Sequence, residues 1–244
     1  MKETVIISGG AGGIGSKIVS YFLDYGFSVV VLDKEANKLR SLKEEYKSDL
    51  LLFEIDVTSI QSLTDWKKKI SGDFKVSHII TLAGRALEDE WRPFELQSLQ
   101  CIRDSIELNL LGHINVVHTC FDLFNNDSSD KSILMISSIN AMGCYGLPAY
   151  SSAKSGLYGF TNATVSEFGK KGIRINTLSL GTVVTPNTLN EPKNFEQLLN
   201  GTALNRFVTT DDAAQISLQI CTQYTSLTGQ NIVLDSGQSK IHIM

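Results

Sequence analysis

Residues 8–15 read SGGAGGIG and stand between a short apolar run, residues 4–7, and a stretch of helical length and periodicity, residues 13–25. Glycine permits backbone conformations and close approaches that other residues do not. The N–H groups and the dipole at the start of the following helix attract negative charge. This order of strand, turn and helix predicts a turn that binds the phosphates of a ligand.

A P-loop is the nearest alternative for this turn, because Gly10 and Gly15 have the separation that a P-loop requires. A P-loop also needs Lys directly after its second glycine, whereas this chain has Ser16 there and Lys17 one position later. A tight turn without any ligand would use the same glycines. Its place between strand and helix favours dinucleotide binding.

Short apolar runs rich in Val and Ile alternate with amphipathic stretches of helical length. The apolar runs are residues 4–7, 28–32, 50–55, 78–82, 133–136, 173–180 and 231–234. The helical stretches are residues 13–25, 35–46, 60–70, 99–124, 149–169 and 211–223. Most of the runs lack polar alternation, which is typical of strands covered on both faces. The alternation predicts a parallel sheet with helices on both sides, in one domain spanning residues 1–244.

Composition excludes several classes of protein. Of the 244 residues, 42% are hydrophobic and 20% are charged, which is enough apolar material for a large core. The net charge is -4 and the basic residues are spread out, so no nucleic-acid surface is expected. The four cysteines show no metal-binding spacing, and no apolar stretch approaches the roughly 18 residues of a membrane span. We therefore expect a cytoplasmic protein with reduced thiols and no metal.

The second apolar run ends at Asp33, about twenty residues beyond the glycine turn, where a carboxylate can accept hydrogen bonds from an adenosine ribose. A carboxylate there would repel a 2′-phosphate, and the only nearby cation is Lys34. These features favour NAD over NADP. An ordinary turn residue at the end of a strand is the alternative explanation of Asp33.

Residues 137–154 read SSINAMGCYGLPAYSSAK and place Tyr150 and Lys154 four positions apart at the start of a helical stretch. Residues with this spacing share one face of a helix. The glycine turn, Asp33, the pair Asp56-Val57, the serines with this tyrosine and lysine, and GTVVTP at residues 181–186 together resemble the short-chain dehydrogenase/reductase family. The resemblance extends over essentially the whole chain.

The resemblance implies an α/β fold with a three-layer, doubly wound Rossmann-type sheet of about seven parallel strands. It also implies nicotinamide-dependent chemistry between alcohols and carbonyls. Tyr150 resembles the general acid/base, Lys154 the residue that activates it and binds the nicotinamide ribose, and Ser138 the hydroxyl that orients the substrate oxygen. Ser137 is the alternative on spacing alone. A cation about 4 Å from a phenol can lower its pKa from about 10 to near 7.

Asn109 falls on an apolar stripe at helical spacing within residues 99–124, so its amide needs buried partners. By resemblance, this Asn holds a water that links Lys154 to solvent. A satisfied core amide is the alternative. His113 lies on the same stripe and is interpreted as a core or interface histidine.

By resemblance, the cofactor site includes residues that follow several of the predicted strands, together with the tyrosine and the lysine. They are Gly9, Gly13, Ile14, Gly15, Asp33, Asp56, Val57, Ala83, Gly84, Tyr150, Lys154, Val183 and Thr185. Two positions depart from the family pattern. Thr81 stands where the family usually has Asn, and Leu180 stands where it usually has Pro before a glycine. Both departures affect the surroundings of the cofactor and remove no reacting group.

The sequence thus predicts an NAD(H)-dependent oxidoreductase that interconverts a secondary alcohol and a ketone. Residues 185–206 lack periodicity after a strand end and are a candidate substrate lid. The resemblance suggests a homotetramer or dimer built on the helices of residues 99–124 and 149–169. A 3-oxoacyl carrier-protein reductase is one alternative, disfavoured by the polar, acidic loop of residues 125–131, and a non-catalytic NAD(H)-binding regulator is another.

Overall fold

A seven-stranded parallel sheet in the order β3-β2-β1-β4-β5-β6-β7 forms the centre of the computed structural model. The structure describes residues 2–70, 74–124, 130–185 and 195–240. The strands are β1 (Glu3–Ser8), β2 (Ser28–Asp33), β3 (Leu50–Glu54), β4 (Lys75–Thr81), β5 (Lys131–Ser138), β6 (Ile173–Leu180) and β7 (Asn231–Leu234). The predicted doubly wound sheet of about seven parallel strands is confirmed.

Helices connect the strands. They are α1 (Gly13–Asp24), α2 (Arg40–Tyr46), α3 (Ile60–Lys69), α4 (Leu99–Ile106), α5 (Gly112–Cys120), α6 (Pro148–Gly169), α7 (Phe195–Asn200) and α8 (Thr210–Thr222). The stretch at residues 99–124, expected to be one helix, is divided by a π-helical turn, Glu107–Leu111. The stretch at residues 35–46 begins with a 3₁₀ turn, Ala36–Leu39.

The sheet separates two hydrophobic layers because side chains alternate along each strand. On one face, Val5 and Ile7 belong to the same cluster as Phe22 of α1 and Ile220 of α8. On the other face, the intervening Ile6 joins a cluster with Leu63 of α3, Val116 of α5 and Leu157 of α6. The two layers fix α1 and α6 on opposite sides of the sheet, with their N-terminal ends at its carboxyl edge.

The strand order changes direction at β1, which pairs with β2 on one side and with β4 on the other. Loops leaving adjacent strands in opposite directions open a crevice at this point, which is where open α/β sheets bind ligands. The glycine turn follows β1, and Ala83 and Gly84 follow β4, so both border the crevice.

Two glycines allow the turn to pack backbone against backbone. Gly9 has a φ of 75°, and a Cβ there would lie 2.5 Å from the amide nitrogen of Ala83. A Cβ at Gly15 would lie 2.2 Å from the carbonyl oxygen of Gly9. The close approach of β1, β4 and α1 at the crevice therefore requires glycine at both positions.

Among the described residues, no helix has the combination of length and apolarity that crossing a bilayer demands. In the same part of the chain, no group of three or more His, Cys, Asp or Glu side chains is placed to hold a metal ion. Residues 186–194 of the lid expected at residues 185–206, and residues 125–129 of the acidic loop, lie outside the described residues.

Gly15→Ala is expected to destabilise the protein by about 1–3 kcal/mol, because its methyl group overlaps the backbone of the glycine turn. The free energy of unfolding, measured by urea titration, checks this. Gly12→Ala is the matched control, since a Cβ there would meet its nearest atom, the Gly9 carbonyl oxygen, at 3.5 Å. Equal losses in the two variants would contradict the packing argument.

Candidate active site

The first turns of α6 bring Tyr150 and Lys154 together. Pro148 opens the helix, and Leu147 precedes it with a positive φ of 54° that turns the chain sharply into the helix. One turn separates the two residues, and the Nζ atom of Lys154 lies 5.8 Å from the centroid of the Tyr150 ring. The spacing predicted from sequence thus places both side chains on the same side of α6.

Lys154 is buried, with 3% of its surface exposed. Its Nζ atom donates to the carbonyl oxygen of Ile136 at 3.1 Å and lies 3.3 Å from Nε2 of His113. Burial lowers the pKa of Lys154 to about 7. The amino group is therefore poised to change its charge near neutral pH.

The phenol of Tyr150 is hydrogen-bonded to Ser138, yet its pKa is raised to about 12. Burial is the largest cause, the Ser138 hydrogen bond opposes it, and the negative charge of Glu90 adds to it. The expectation that Lys154 brings this phenol near neutrality is therefore wrong for the protein itself. The reason is tertiary: burial, together with the carboxylate of Glu90, outweighs the hydrogen bond with Ser138.

The two adjacent serines have different contacts because they point to opposite faces of β5. Ser137 donates to the backbone carbonyl of Lys154 at 3.0 Å and so fixes α6 against the sheet. Ser138 bonds Tyr150, and its Oγ atom accepts from the backbone N–H of Asn140 at 3.2 Å. Of the two candidates, Ser138 is the one beside the phenol.

Asn109 is fully buried inside the π-helical turn. Its Oδ1 atom accepts from the backbone N–H of Arg85, and its Nδ2 atom donates to the carbonyl oxygen of Arg85, both at 2.9 Å. Nδ2 also donates to the carbonyl oxygen of Ser105 at 3.0 Å. The amide therefore ties the loop after β4 to α4, and its expected link to Lys154 through water stays a prediction.

Gly84 allows Asn109 and Lys154 to approach the same point of the backbone. A Cβ at Gly84 would lie 2.6 Å from Oδ1 of Asn109 and 3.3 Å from Nζ of Lys154. Any side chain there would push one of these groups away. The glycine therefore lets both residues border the crevice beneath the loop after β4.

The far end of the crevice holds two carboxylates. Asp33 accepts from the backbone N–H groups of Ala11 at 3.0 Å and Glu35 at 2.8 Å, which joins β2 to the glycine turn. Asp56 pairs with Lys34 at 2.8 Å. Burial opposes the charged form of Asp56, but hydrogen bonds from Lys34 and Thr58 outweigh it and hold its pKa below the ordinary value.

The arrangement fits a dinucleotide with a pyrophosphate. The N-cap residue of α1 is Gly12, so no side chain caps the backbone N–H groups of the first turn. That turn includes Gly13, Ile14 and Gly15 and carries no acidic residue. Its positive end therefore faces the crevice beside the glycine turn. On the opposite side, the segment after β6 is held by a bridge between Val183 and Val208, which positions Val183 and Thr185 at the carboxyl edge.

Comparison with known proteins agrees with this geometry. The profile of the short chain dehydrogenase family matches residues 3–195. The chain belongs to the short-chain dehydrogenase/reductase family. As a member, it is an oxidoreductase that binds a nicotinamide dinucleotide and acts on small-molecule substrates.

Two of its relatives are distant in sequence but cover the chain almost completely. An acetoacetyl-CoA reductase of Allochromatium vinosum is 27% identical over 250 residues, which cover 97% of this chain and 98% of the relative. A 3-oxoacyl-(acyl-carrier-protein) reductase, FabG, of Chlamydia muridarum is 24% identical over 98% of both chains. The solved structure of a family oxidoreductase from Burkholderia thailandensis matches 98% of this chain and 93% of its own, with a TM-score of 0.86 at 27% identity.

The two departures from the family pattern both have a structural partner. Thr81, in place of the usual Asn, contacts Nδ1 of His113 through Oγ1 at 2.8 Å. Leu180, in place of the usual Pro, is the last residue of β6 and pairs with Ser138 and Leu234 on its two sides. Gly181 follows it and passes the backbone of Asp235 so closely that a Cβ would lie 2.7 Å from the Cα atom of Asp235.

Sequence reasoning missed Glu90, a buried carboxylate beside the site. One oxygen accepts from the backbone N–H of Tyr150 at 2.7 Å, and the other accepts from the N–H of Leu87 at 2.8 Å and the hydroxyl of Ser105 at 3.1 Å. Glu90 therefore caps the start of α6, where Leu147 offers no side-chain hydrogen bond. Its partner lies 60 residues away, so no local pattern could have revealed it.

Glu90→Gln is expected to lower the free energy of unfolding by about 1–3 kcal/mol, because its NH₂ group would face a donor in a buried site. Chemical denaturation measures the loss. Glu88→Gln is the control, since Glu88 lies in the same turn and outside the buried core. A Glu90→Gln variant as stable as this control would contradict the capping role.

Proposed function

We propose that this chain is an NAD(H)-dependent oxidoreductase that interconverts a secondary alcohol and a ketone, with Tyr150 as the general acid/base. The observation that carries the proposal is the contact between Ser138 and the phenol of Tyr150, with Lys154 against the same ring, in the crevice beside the glycine turn. A proton-carrying group, a hydroxyl and a cation thus converge where a dinucleotide fits.

A nicotinamide dinucleotide bound in the crevice would supply the hydride donor or acceptor. Tyr150 gives its proton to the carbonyl oxygen during reduction and takes the hydroxyl proton during oxidation. Ser138 orients that oxygen through its own hydroxyl. When charged, Lys154 stabilises the phenolate, because the two side chains face each other in a buried site.

The cofactor would be held by groups already fixed by the backbone. The pyrophosphate would lie on Gly9, Gly13, Ile14 and Gly15, and the adenosine on Asp33, Asp56 and Val57. The nicotinamide half would contact Ala83, Gly84, Val183 and Thr185, and its ribose would contact Tyr150 and Lys154. Asn109 would act through Lys154 and through the loop of Arg85.

Two charges support NAD over NADP. Asp33 lies at the end of β2 with each carboxylate oxygen accepting one backbone N–H, which leaves acceptor capacity for ribose hydroxyls. Lys34, the nearest cation in the sequence, is paired with Asp56. A 2′-phosphate at this position would meet two carboxylates and a lysine that is already paired.

Asp33→Ala is expected to narrow the preference for NAD over NADP, because it removes the repulsion of a 2′-phosphate along with the ribose acceptor. The ratio of the two dissociation constants, measured by fluorescence titration with NADH and NADPH, checks this. Glu35→Ala, a change of the exposed neighbouring carboxylate, serves as the control. An unchanged or widened ratio for Asp33→Ala would contradict the assignment.

Tyr150→Phe is expected to lower turnover by about 10² or more while NADH still binds, because only the proton-transferring hydroxyl is removed. Turnover is measured with a panel of secondary alcohols and ketones, and binding by NADH fluorescence. Tyr158→Phe, on the exposed face of the same helix, is the control. Unchanged turnover in Tyr150→Phe would remove this residue from the mechanism.

The names of two relatives favour a second candidate, the reduction of 3-oxoacyl thioesters. One is an acetoacetyl-CoA reductase and the other a 3-oxoacyl-(acyl-carrier-protein) reductase. Including acetoacetyl-CoA in the substrate panel separates this candidate from the first. Tight NADH binding without turnover of any compound would instead favour a non-catalytic regulator.

We also propose a homo-oligomer. The outer surfaces of the helices expected to form its interface carry exposed apolar side chains: Leu99 at the start of α4 and Tyr158 on α6 are 74% and 39% exposed. Burying such side chains against a second copy would stabilise an assembly.

A further inference from the structure

His113 makes a buried polar contact with Lys154 and has no role in the proposed mechanism. Its ring is 1% exposed and lies on α5, one helical turn beyond Asn109. Nε2 lies 3.3 Å from Nζ of Lys154, and Nδ1 lies 2.8 Å from Oγ1 of Thr81 at the end of β4. The imidazole therefore joins the lysine to the central sheet.

The partners assign the tautomer of this ring. An ammonium group has donors and no acceptor, so Nε2 must offer its lone pair to charged Lys154. The ring proton then resides on Nδ1, which faces the hydroxyl oxygen of Thr81 at 2.8 Å. The backbone of Ala83 and of Thr81 also hydrogen-bonds the ring. Burial, and next the charge of Lys154, hold the pKa of His113 well below its ordinary value, so the ring stays a neutral acceptor.

Nε2 of His113 is one of few groups placed to stabilise the charged form of Lys154. The ammonium donates to the carbonyl oxygen of Ile136 in β5. It also lies over the ring of Tyr150, which belongs to its own helix. The nearby carboxylate of Glu90 is directed to Tyr150 N–H, Leu87 and Ser105. Within the described residues, burial is the one cause of the lowered pKa of Lys154, so no ion pair offsets it.

We propose that His113, held in one tautomer by Thr81, is the positioning residue that aims Lys154 into the crevice and determines its state of protonation. Two of the three N–H groups of the ammonium then have fixed acceptors, Ile136 and His113. The third is left for the crevice. Through Lys154, the imidazole sets how strongly the phenolate of Tyr150 is stabilised, a consequence that rests on the proposed function.

His113→Leu removes the acceptor, so the charged form of Lys154 loses a hydrogen bond inside an apolar site. The pKa of Lys154 is then expected to fall by about one unit or more. His113→Gln is the rescue variant, because its side-chain amide reaches the place of Nε2 and can accept there. His118→Leu is the matched control, since His118 is an exposed histidine of the same helix.

The pKa of Lys154 can be measured without cofactor or substrate. The full-length protein is labelled with ¹³C-lysine, and the Cε resonance that disappears in Lys154→Met is followed through a pH titration. We expect a lowered titration midpoint in His113→Leu, a midpoint close to the unsubstituted protein in His113→Gln, and no change in His118→Leu. An unmoved midpoint in His113→Leu, or equal shifts in the Leu and Gln variants, would overturn the proposal.

Thr81→Val gives a second, milder variant in case His113→Leu does not fold. It replaces the hydroxyl by a methyl group of similar size, so one of the hydrogen bonds that fix the tautomer is lost and the midpoint should fall by less. In a protein that also carries His113→Gln, the same change should add no shift; an equal shift there would overturn the proposal.

The titration also separates this proposal from the proposed function. If no alcohol or ketone is turned over by the unsubstituted protein, the midpoints still test the role of His113. If turnover is found, kcat for alcohol oxidation at pH 8 should fall about tenfold in His113→Leu for each unit by which the midpoint falls. An unchanged kcat together with a lowered midpoint would overturn the catalytic part of the proposal.

Discussion

A buried ammonium with no counter-ion among the described residues is the constraint on which this site depends. Only 3% of the surface of Lys154 is exposed, and this burial disfavours the charged form of its amino group. The hydrogen-bond acceptors placed beside it are neutral: the carbonyl oxygen of Ile136 and the imidazole of His113. These acceptors come from β5 and α5, whereas Lys154 itself belongs to α6. The site can therefore form only after the sheet and both helices have packed together, which makes the local electrostatics a consequence of the fold.

Four polar side chains at the carboxyl edge of the sheet bond to backbone. Asn109 holds Arg85, Glu90 holds the start of α6, Ser137 holds the carbonyl of Lys154, and Asp33 holds the glycine turn. Ser137 joins β5 to α6, and the other three join a loop at the carboxyl edge to a regular element. Such cross-links keep the reacting side chains in place before a ligand arrives, which reduces the entropy lost when it binds.

How far sequence reasoning reaches depends on the range of the interactions. The strands at residues 173–180 and 231–234 agree with β6 and β7, because burial on both faces produces uninterrupted local patterns. The π-helical turn around Asn109 was missed, since one inserted residue barely alters the spacing of an apolar stripe. The grouping of Ser138, Tyr150 and Lys154 was implied by the family resemblance, whereas the raised pKa of Tyr150 depends on burial and on Glu90, which only the tertiary structure brings near.

The buried lysine also links the stability of the fold to the chemistry of the site. Its pKa is about 7 in the folded protein, against 10.5 for an exposed lysine, so between these values the unfolded chain binds more protons. The contribution of Lys154 to stability consequently rises with pH through this window and is least favourable below it, where the ammonium must stay charged inside the protein. The charge that would stabilise a phenolate is thus the charge that the fold tolerates least. A neutral imidazole and a strand carbonyl reduce that conflict without adding a negative group, which would raise the pKa of Tyr150 further.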